Sequence, residues 1–253
     1  MTLADFDRWV RGLMAFGETE SIDASLNGIQ VGDEGKAVAK AAFAVDACMD
    51  SFRRAADGGA DVLFVHHGLF WGPARPLTGV LGERVRFLMA NGLALYACHL
   101  PLDRHAELGN NARMAAALGL EDVEPFGEYR GRMIGTKGRL PEPLDMDGVV
   151  KRLFGAWDTR VNALPFGPRE IRTVGMVSGG GTREAAQAAA QGLDLYITGD
   201  SAHTIYHESR EAGLNVLFAG HYWTEVFGVK AVSEAAAENL ALDTFFIDVP
   251  TGY

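Results

Sequence analysis

One phrase recurs four times in this chain. A helical, alanine-rich stretch ends at a glycine, an apolar strand follows, and the strand stops on a polar residue. It reads RRAADGGADVLFVHH at 53–67, RFLMANGLALYACH at 86–99, AAQAAAQGLDLYITGD at 185–200 and SREAGLNVLFAGH at 209–221. Glycine just beyond a helix supplies the left-handed cap. The near-continuous apolar runs are what parallel strands covered on both faces require. Strands alternating with helices at this spacing specify βαβ units. The expected fold class is therefore α/β, with two similar layered α/β domains and mostly parallel sheets.

The stretch 121–145, EDVEPFGEYRGRMIGTKGRLPEPLD, is rich in Gly, Pro and charge and loses the pattern. It reads as a seam, with RMIGTKGRL as a short strand pair opening the second half. The domains are set at 1–125 and 126–253, the C-terminal segment packing back on the first. Before the seam the expected helices are 3–16, 48–57, 82–90 and 110–118, and the strands 38–45, 61–67 and 93–98. After it come helices 146–154, 182–191, 202–211 and 222–239, with strands 159–164, 171–177, 193–198, 214–219 and 244–248. Asn27–Gly32 reads as a turn into a short strand.

Charge excludes some partners. The chain carries 23 basic against 33 acidic residues, net −10, with no clustered basic stripe. Counterion replacement on a duplex needs such a stripe, so nucleic acid is disfavoured. No apolar run approaches the roughly 20 residues of a membrane span. The start, MTLADFDRWVRGL, has acids where an export signal needs a basic region. Cys48 and Cys98 stand at no metal-like spacing, which fits a reducing, cytoplasmic setting.

In open α/β sheets ligands collect outside the carboxyl ends of the strands. The repeated phrase puts His66, His67, His99, Asp200 and His221 there. A lone strand-end histidine is usually structural; four of seven histidines in this position is a different matter. Adjacent strand residues point to opposite faces, so His66 and His67 converge only if the chain is leaving the strand into GLFWG. Pro101 argues against a regular helix between His99 and Asp103, leaving a compact loop to bring both inward. Asn110 or Asn111 is the expected cap of the next helix, and His105 is expected to face solvent. His221 and Glu225 share a helix face one turn apart, aiming an imidazole and a carboxylate at one point; alone, this spacing is a weak signal.

The candidate metal ligands are His66, His67, Asp103, His221 and Glu225, with His99 close by. Nitrogen and oxygen donors of this kind suit Zn, Mn, Fe, Co or Ni. Two such ions can hold a hydroxide between them and polarise a carbonyl or phosphoryl oxygen. Asp200, His203 and His99 are the candidates for proton transfer or ligand orientation. Val177–Thr182 (VSGGGT) follows a strand and opens a helix; it is either an anion cradle or a tight connection capped by Thr182. It matches no dinucleotide or phosphate-loop motif.

The segments DASLNGIQVGD, DVLFVHHGLFWG, YACHLPLDRHAELGNNA, VSGGGT and ITGDSAHTIYHESREAGLNVLFAGHYWTE together resemble the Nif-three-like family, in its short bacterial form, from end to end. Members are often named GTP cyclohydrolase I type 2 homologues or dinuclear metal centre hexameric proteins. The resemblance implies a toroidal homo-hexamer and two divalent ions per chain, in a metal site between the two domains. It assigns His67 and Asp103 to one ion, His66 and His221 to the other, and Glu225 as the bridge. It also implies a metal-dependent hydrolase, GTP cyclohydrolase-like, acting on a small molecule such as a nucleotide or cyclic amide. The competing readings are a metal-trafficking factor and a hexameric scaffold without turnover.

Overall fold

Each apolar run of the repeated phrase becomes a fully buried strand. The computed structural model describes residues 1–156 and 161–252. It comprises two compact units, Met1–Leu102 with Val229–Val249, and Asp103–Gly228 with the last residues from Pro250. Residues 103–125, ahead of the expected seam, thus belong with the second unit, and the segment Val229–Val249 with the first.

The first unit holds a five-stranded sheet of β1 (Gly28–Val31), β2 (Lys40–Asp46), β3 (Val62–His67), β4 (Ala94–Ala97) and β11 (Asp243–Phe246), in the order β1-β4-β3-β2-β11. β4, β3, β2 and β11 run parallel, and β1 joins β4 antiparallel. Helices α1 (Leu3–Met14), α2 (Met49–Asp57) and α3 (Gly79–Ala90) belong to the same unit. Thr2 opens α1 with a capping box, its hydroxyl taking the Asp5 amide while the Asp5 carboxylate takes the Thr2 amide at 2.9 Å. Phe52, Leu63, Val65, Leu88 and Leu95 form the core on one side of the sheet.

The second unit holds a six-stranded sheet in the order β5-β6-β8-β9-β10-β7. Its strands are β5 (Glu121–Tyr129), β6 (Arg132–Leu144), β7 (Asn162–Pro165), β8 (Ile171–Val177), β9 (Leu195–Thr198) and β10 (Asn215–Phe218). β8, β9 and β10 are parallel; the remaining pairings are antiparallel. Val149, Val174, Leu195, Ile197 and Leu217 centre its core. Helices α5 (Asn110–Leu118), α6 (Met146–Phe154), α7 (Ala185–Ala190) and α8 (Tyr206–Ala212) complete it, and α9 (His221–Leu240) starts here.

Three local expectations are corrected. The stretch 121–145 is not a loose seam: most of it is a hairpin of nine- and thirteen-residue strands. Arg130 and Gly131 turn it with φ of 50° and 80°, the left-handed geometry of tight hairpins. Its prolines read as breakers but sit where a sheet tolerates them. Pro125 is on the edge strand, and Pro141 and Pro143 fall in the irregular gap between the Arg139–Thr173 and Leu144–Ile171 pairs. Pro101 does not prevent a helix either. Leu100–Arg104 forms α4, with the proline in its first turn, where its missing N–H has no helical acceptor. Helices expected at 182–191 and 202–211 each begin with a 3-10 turn, at Thr182–Glu184 and His203–Ile205. Of the strand expected over 159–164, residues 159 and 160 lie outside the described residues.

The repeated phrase also repeats a hydrogen-bond pattern. Asp61, just before β3, accepts the amides of Ala39 and Lys40 at the start of β2, at 2.9 and 3.1 Å. Asp194, just before β9, accepts those of Arg172 and Thr173 at the start of β8, both at 2.9 Å. Each carboxylate aligns the beginnings of two parallel strands.

Burial works to raise the Asp61 carboxyl, but the two amides and the Lys36 ammonium outweigh it and hold it below the ordinary carboxylate value. Its stabilising effect is therefore present above the unfolded pKa, near 4, and is lost as pH falls through the lower folded value. Asp61→Asn is expected to destabilise the chain at pH 7 by about 1 kcal/mol. It should also flatten the fall in melting temperature between pH 5 and pH 2. An acid sensitivity unchanged in the variant would refute the alignment role.

Candidate metal centre

In the first unit three imidazoles meet at the carboxyl ends of β3 and β4. β3 runs through both His66 and His67, and His67 is still paired with Asp46. The two rings nevertheless lie 4.6 Å apart, because the chain turns away at Gly68. That turn needs glycine: a Cβ at Gly68 would overlap the Gln30 amide, which takes the Leu69 amide at 2.7 Å and donates to Leu26. His99 follows β4, its ring centre 5.1 Å from that of His66 and 5.7 Å from that of His67. The Trp71 indole lies edge-on to His99 at 4.8 Å, its N–H donated to the Gly68 carbonyl.

Each Nδ1 faces an acceptor. His66 Nδ1 is 3.0 Å from the Cys98 carbonyl, His67 Nδ1 2.9 Å from Asp46 Oδ1, and His99 Nδ1 2.8 Å from Asp23 Oδ1. A carbonyl or carboxylate oxygen only accepts, so Nδ1 carries the proton and Nε2 is the nitrogen that could ligate a metal. One ligand atom from each of the three rings falls within 4.8 Å of the others. Asp23 is 1% exposed. Burial acts to raise its carboxyl, but hydrogen bonds from His99, Asn27 and the Ser25 amide hold it below the ordinary value. It also takes the Leu100 amide at 3.0 Å, while Asn27 Oδ1 takes the His99 amide.

The second unit brings its own set together around β8 and the start of α9. His221 opens the helix, and its Nδ1 lies 2.9 Å from Asp200 Oδ1. One turn on, Glu225 is 3% exposed and places Oε1 3.2 Å from His221 Nε2. With the proton on Nδ1, two lone pairs face each other across 3.2 Å. That contact is repulsive until a cation or a shared proton lies between the two atoms. Ligands on one ion at about 2.1 Å sit roughly 3 Å apart, so the pair fits a divalent metal.

Asp103 is buried, with Oδ1 taking Ser178 Oγ at 2.8 Å and Asn110 Nδ2 at 2.9 Å. The glycine turn after β8 is built for clearance. Gly179 has φ +60°, and a Cβ there would overlap Glu225 Oε1 and stand 3.0 Å from His221 Nε2. Its amide donates to Thr224 Oγ1 at 2.9 Å, and Tyr196 donates its hydroxyl to the Gly181 carbonyl. Thr182 caps nothing; Gly181 holds the cap position, without a side-chain bond.

The structure thus groups His66, His67 and His99 in one unit, and His221 with Glu225 in the other. Asp200 orients His221. His203 is exposed on its 3-10 turn. Two expectations change. Asn110 and Asn111 do not cap α5, whose cap position is Gly109; both are fully buried. Asn110 Oδ1 takes the Gly228 amide, and Asn111 links Ser178, the Ile134 carbonyl and the Asp103 carbonyl. His105 is half-buried rather than solvent-facing, because its Nδ1 accepts the Glu107 and Leu108 amides. Asp23, Asp46, Asn110, Asn111 and Ser178 are the orienting residues that sequence reasoning did not assign. Of these, Asp46 and Ser178 carried a signal, each as a polar residue ending an apolar strand.

Fold and donor chemistry define an α/β protein with histidine–carboxylate groups suited to a divalent metal. The family is shown directly: the model of the DUF34/NIF3 (NGG1p interacting factor 3) family matches residues 1–252, and the chain belongs to that family. A Treponema pallidum protein named GTP cyclohydrolase 1 type 2 homolog is 41% identical, with all of both chains covered. A Halobacterium salinarum protein of the same name is 44% identical, over 92% of this chain and 93% of its own. The crystal structure of TTHA1606 from Thermus thermophilus superposes with a TM-score of 0.90 at 36% identity, covering both chains fully. Among the described residues no helix is long and apolar enough to cross a membrane.

Gly179→Ala is expected to remove at least half of the metal bound by the purified protein, measured by elemental analysis, with an unchanged circular dichroism spectrum. Gly180→Ala is the control, since its Cβ would come no closer than 3.4 Å to Asp200 Oδ2. Equal metal content in the two variants would show that the turn does not set clearance for Glu225.

Proposed function

We propose that this chain is a hydrolase dependent on two divalent ions, acting on a small molecule of the nucleotide or cyclic-amide class. The observation that carries the reading is the facing pair His221 Nε2 and Glu225 Oε1 at 3.2 Å, a contact that a cation makes favourable. The residues that would hold the ions are His66, His67, Asp103, His221 and Glu225, with Glu225 common to both groups of candidate ligands that include a carboxylate. Zn, Fe, Mn, Co and Ni all suit these donors. When bound, two such ions activate water and polarise a carbonyl or phosphoryl oxygen.

The chain's own residues supply orientation and proton handling. Asp46, Asp200 and the Cys98 carbonyl hold three ligand imidazoles by Nδ1, and Ser178 and Asn110 hold Asp103. His99, fixed by Asp23, presents Nε2 as a proton acceptor; Asp200 and His203 are the further candidates for proton transfer. The shared name of the relatives points to opening of a purine ring, and a homo-hexamer in the cytoplasm is the assembly this reading takes.

Gently purified protein is expected to hold about two ions per chain by elemental analysis. Glu225→Ala should lose about one of the two, while His207→Ala, an exposed position, should retain both. Release of phosphate or of an opened purine from nucleotides should stop on chelation and return with metal. Light scattering should give a mass several-fold above the 27.2 kDa chain. Turnover that survives chelation, or equal metal in both variants, would remove the hydrolase reading.

A further inference from the structure

The three imidazoles of the first unit have the spacing of ligands to a single ion. Imidazoles bound through Nε2 at about 2.0–2.1 Å and spread tetrahedrally have ring centres roughly 5 Å apart. The rings of His66, His67 and His99 lie 4.6, 5.1 and 5.7 Å apart, tilted by 46–51° to one another. One ligand atom from each falls within 4.8 Å of the others. All three rings have Nδ1 anchored, so all three offer the same nitrogen. The His99 anchor is the most elaborate, a buried Asp23 carboxylate that also takes two backbone amides and the Asn27 side chain. Such support is what a ligating imidazole receives.

We propose that the first unit binds one divalent transition ion by itself, through His66, His67 and His99, and that this is the first ion the chain takes up. The fourth position stays open for water or for a later ligand. His99 is then a metal ligand in the one-ion state, and the carboxylates Asp103 and Glu225 are needed only for the second ion. The inference stands on the first unit alone and does not require that the chain be a hydrolase.

The test is titration of the metal-free, full-length chain with Co²⁺ alone, followed by visible absorption. The first equivalent should give the intense d–d bands of a four-coordinate, nitrogen-rich site. Glu225→Ala should leave that spectrum and its Kd unchanged, whereas His99→Ala should weaken the first Kd at least tenfold, and Asp23→Asn by about 10–100-fold. A second measurement avoids substitution altogether. Proton NMR of the native chain with one equivalent of Co²⁺ should show three hyperfine-shifted, exchangeable imidazole N–H signals. Two signals, or a first equivalent lost in Glu225→Ala but kept in His99→Ala, would overturn the proposal. The two-ion reading fails separately, if total stoichiometry stops at one.

Discussion

A hydrogen bond at Nδ1 decides what each strand-end histidine can do. His66, His67, His99 and His221 all have that nitrogen facing an oxygen that can only accept, so each ring is fixed in tautomer and in rotation before any ligand arrives. An exposed imidazole would lose rotamer freedom on binding a cation; these have lost it on folding. Three of the four anchors come from strand ends, as the rings do. Asp46 ends β2 beside His67 at the end of β3, and Asp200 follows β9 just as His221 follows β10. Parallel strands in register deliver imidazole and anchor side by side, so the layered fold and the candidate site share a cause.

The same register explains what the sequence could say. Apolar runs stopping on a polar residue located β3, β4, β9 and β10 to within two residues, and with them four histidines at the ligand-bearing edge. One helical turn between His221 and Glu225 was legible because α9 is regular. The rest was hidden where regularity ends. Asp23 lies in an irregular segment 76 residues from His99, and Ser178 is 75 residues from Asp103, so no local period links either pair. Asn110 and Asn111 look like caps because asparagine favours caps. What they do instead depends on partners at Asp103, Ser178 and Gly228, brought to α5 by tertiary folding.

At the turns after β3 and β8, glycines act by leaving space. After β3, Gly68 admits the Gln30 amide that holds the turn beyond the paired histidines. After β8, Gly179 leaves room for the Glu225 carboxylate and the His221 ring. A run of three glycines between strand and helix suggests a phosphate cradle. This turn, followed by a 3-10 segment and a six-residue helix, clears the way for a carboxylate.

The hairpin β5–β6 carries one more consequence. β5 borders its sheet, and an open strand border offers unpaired backbone groups to any passing extended chain. Here that border is interrupted by the irregular step between Glu121 and Glu124, with Asp122 at φ 51°, and then by Pro125, while residues 121–125 are all exposed. Kinks, acidic side chains and a missing donor make a poor template for sheet extension. The composition that resembles a linker is thus what lets a long strand end a sheet in water without recruiting another chain into open-ended, fibril-like addition.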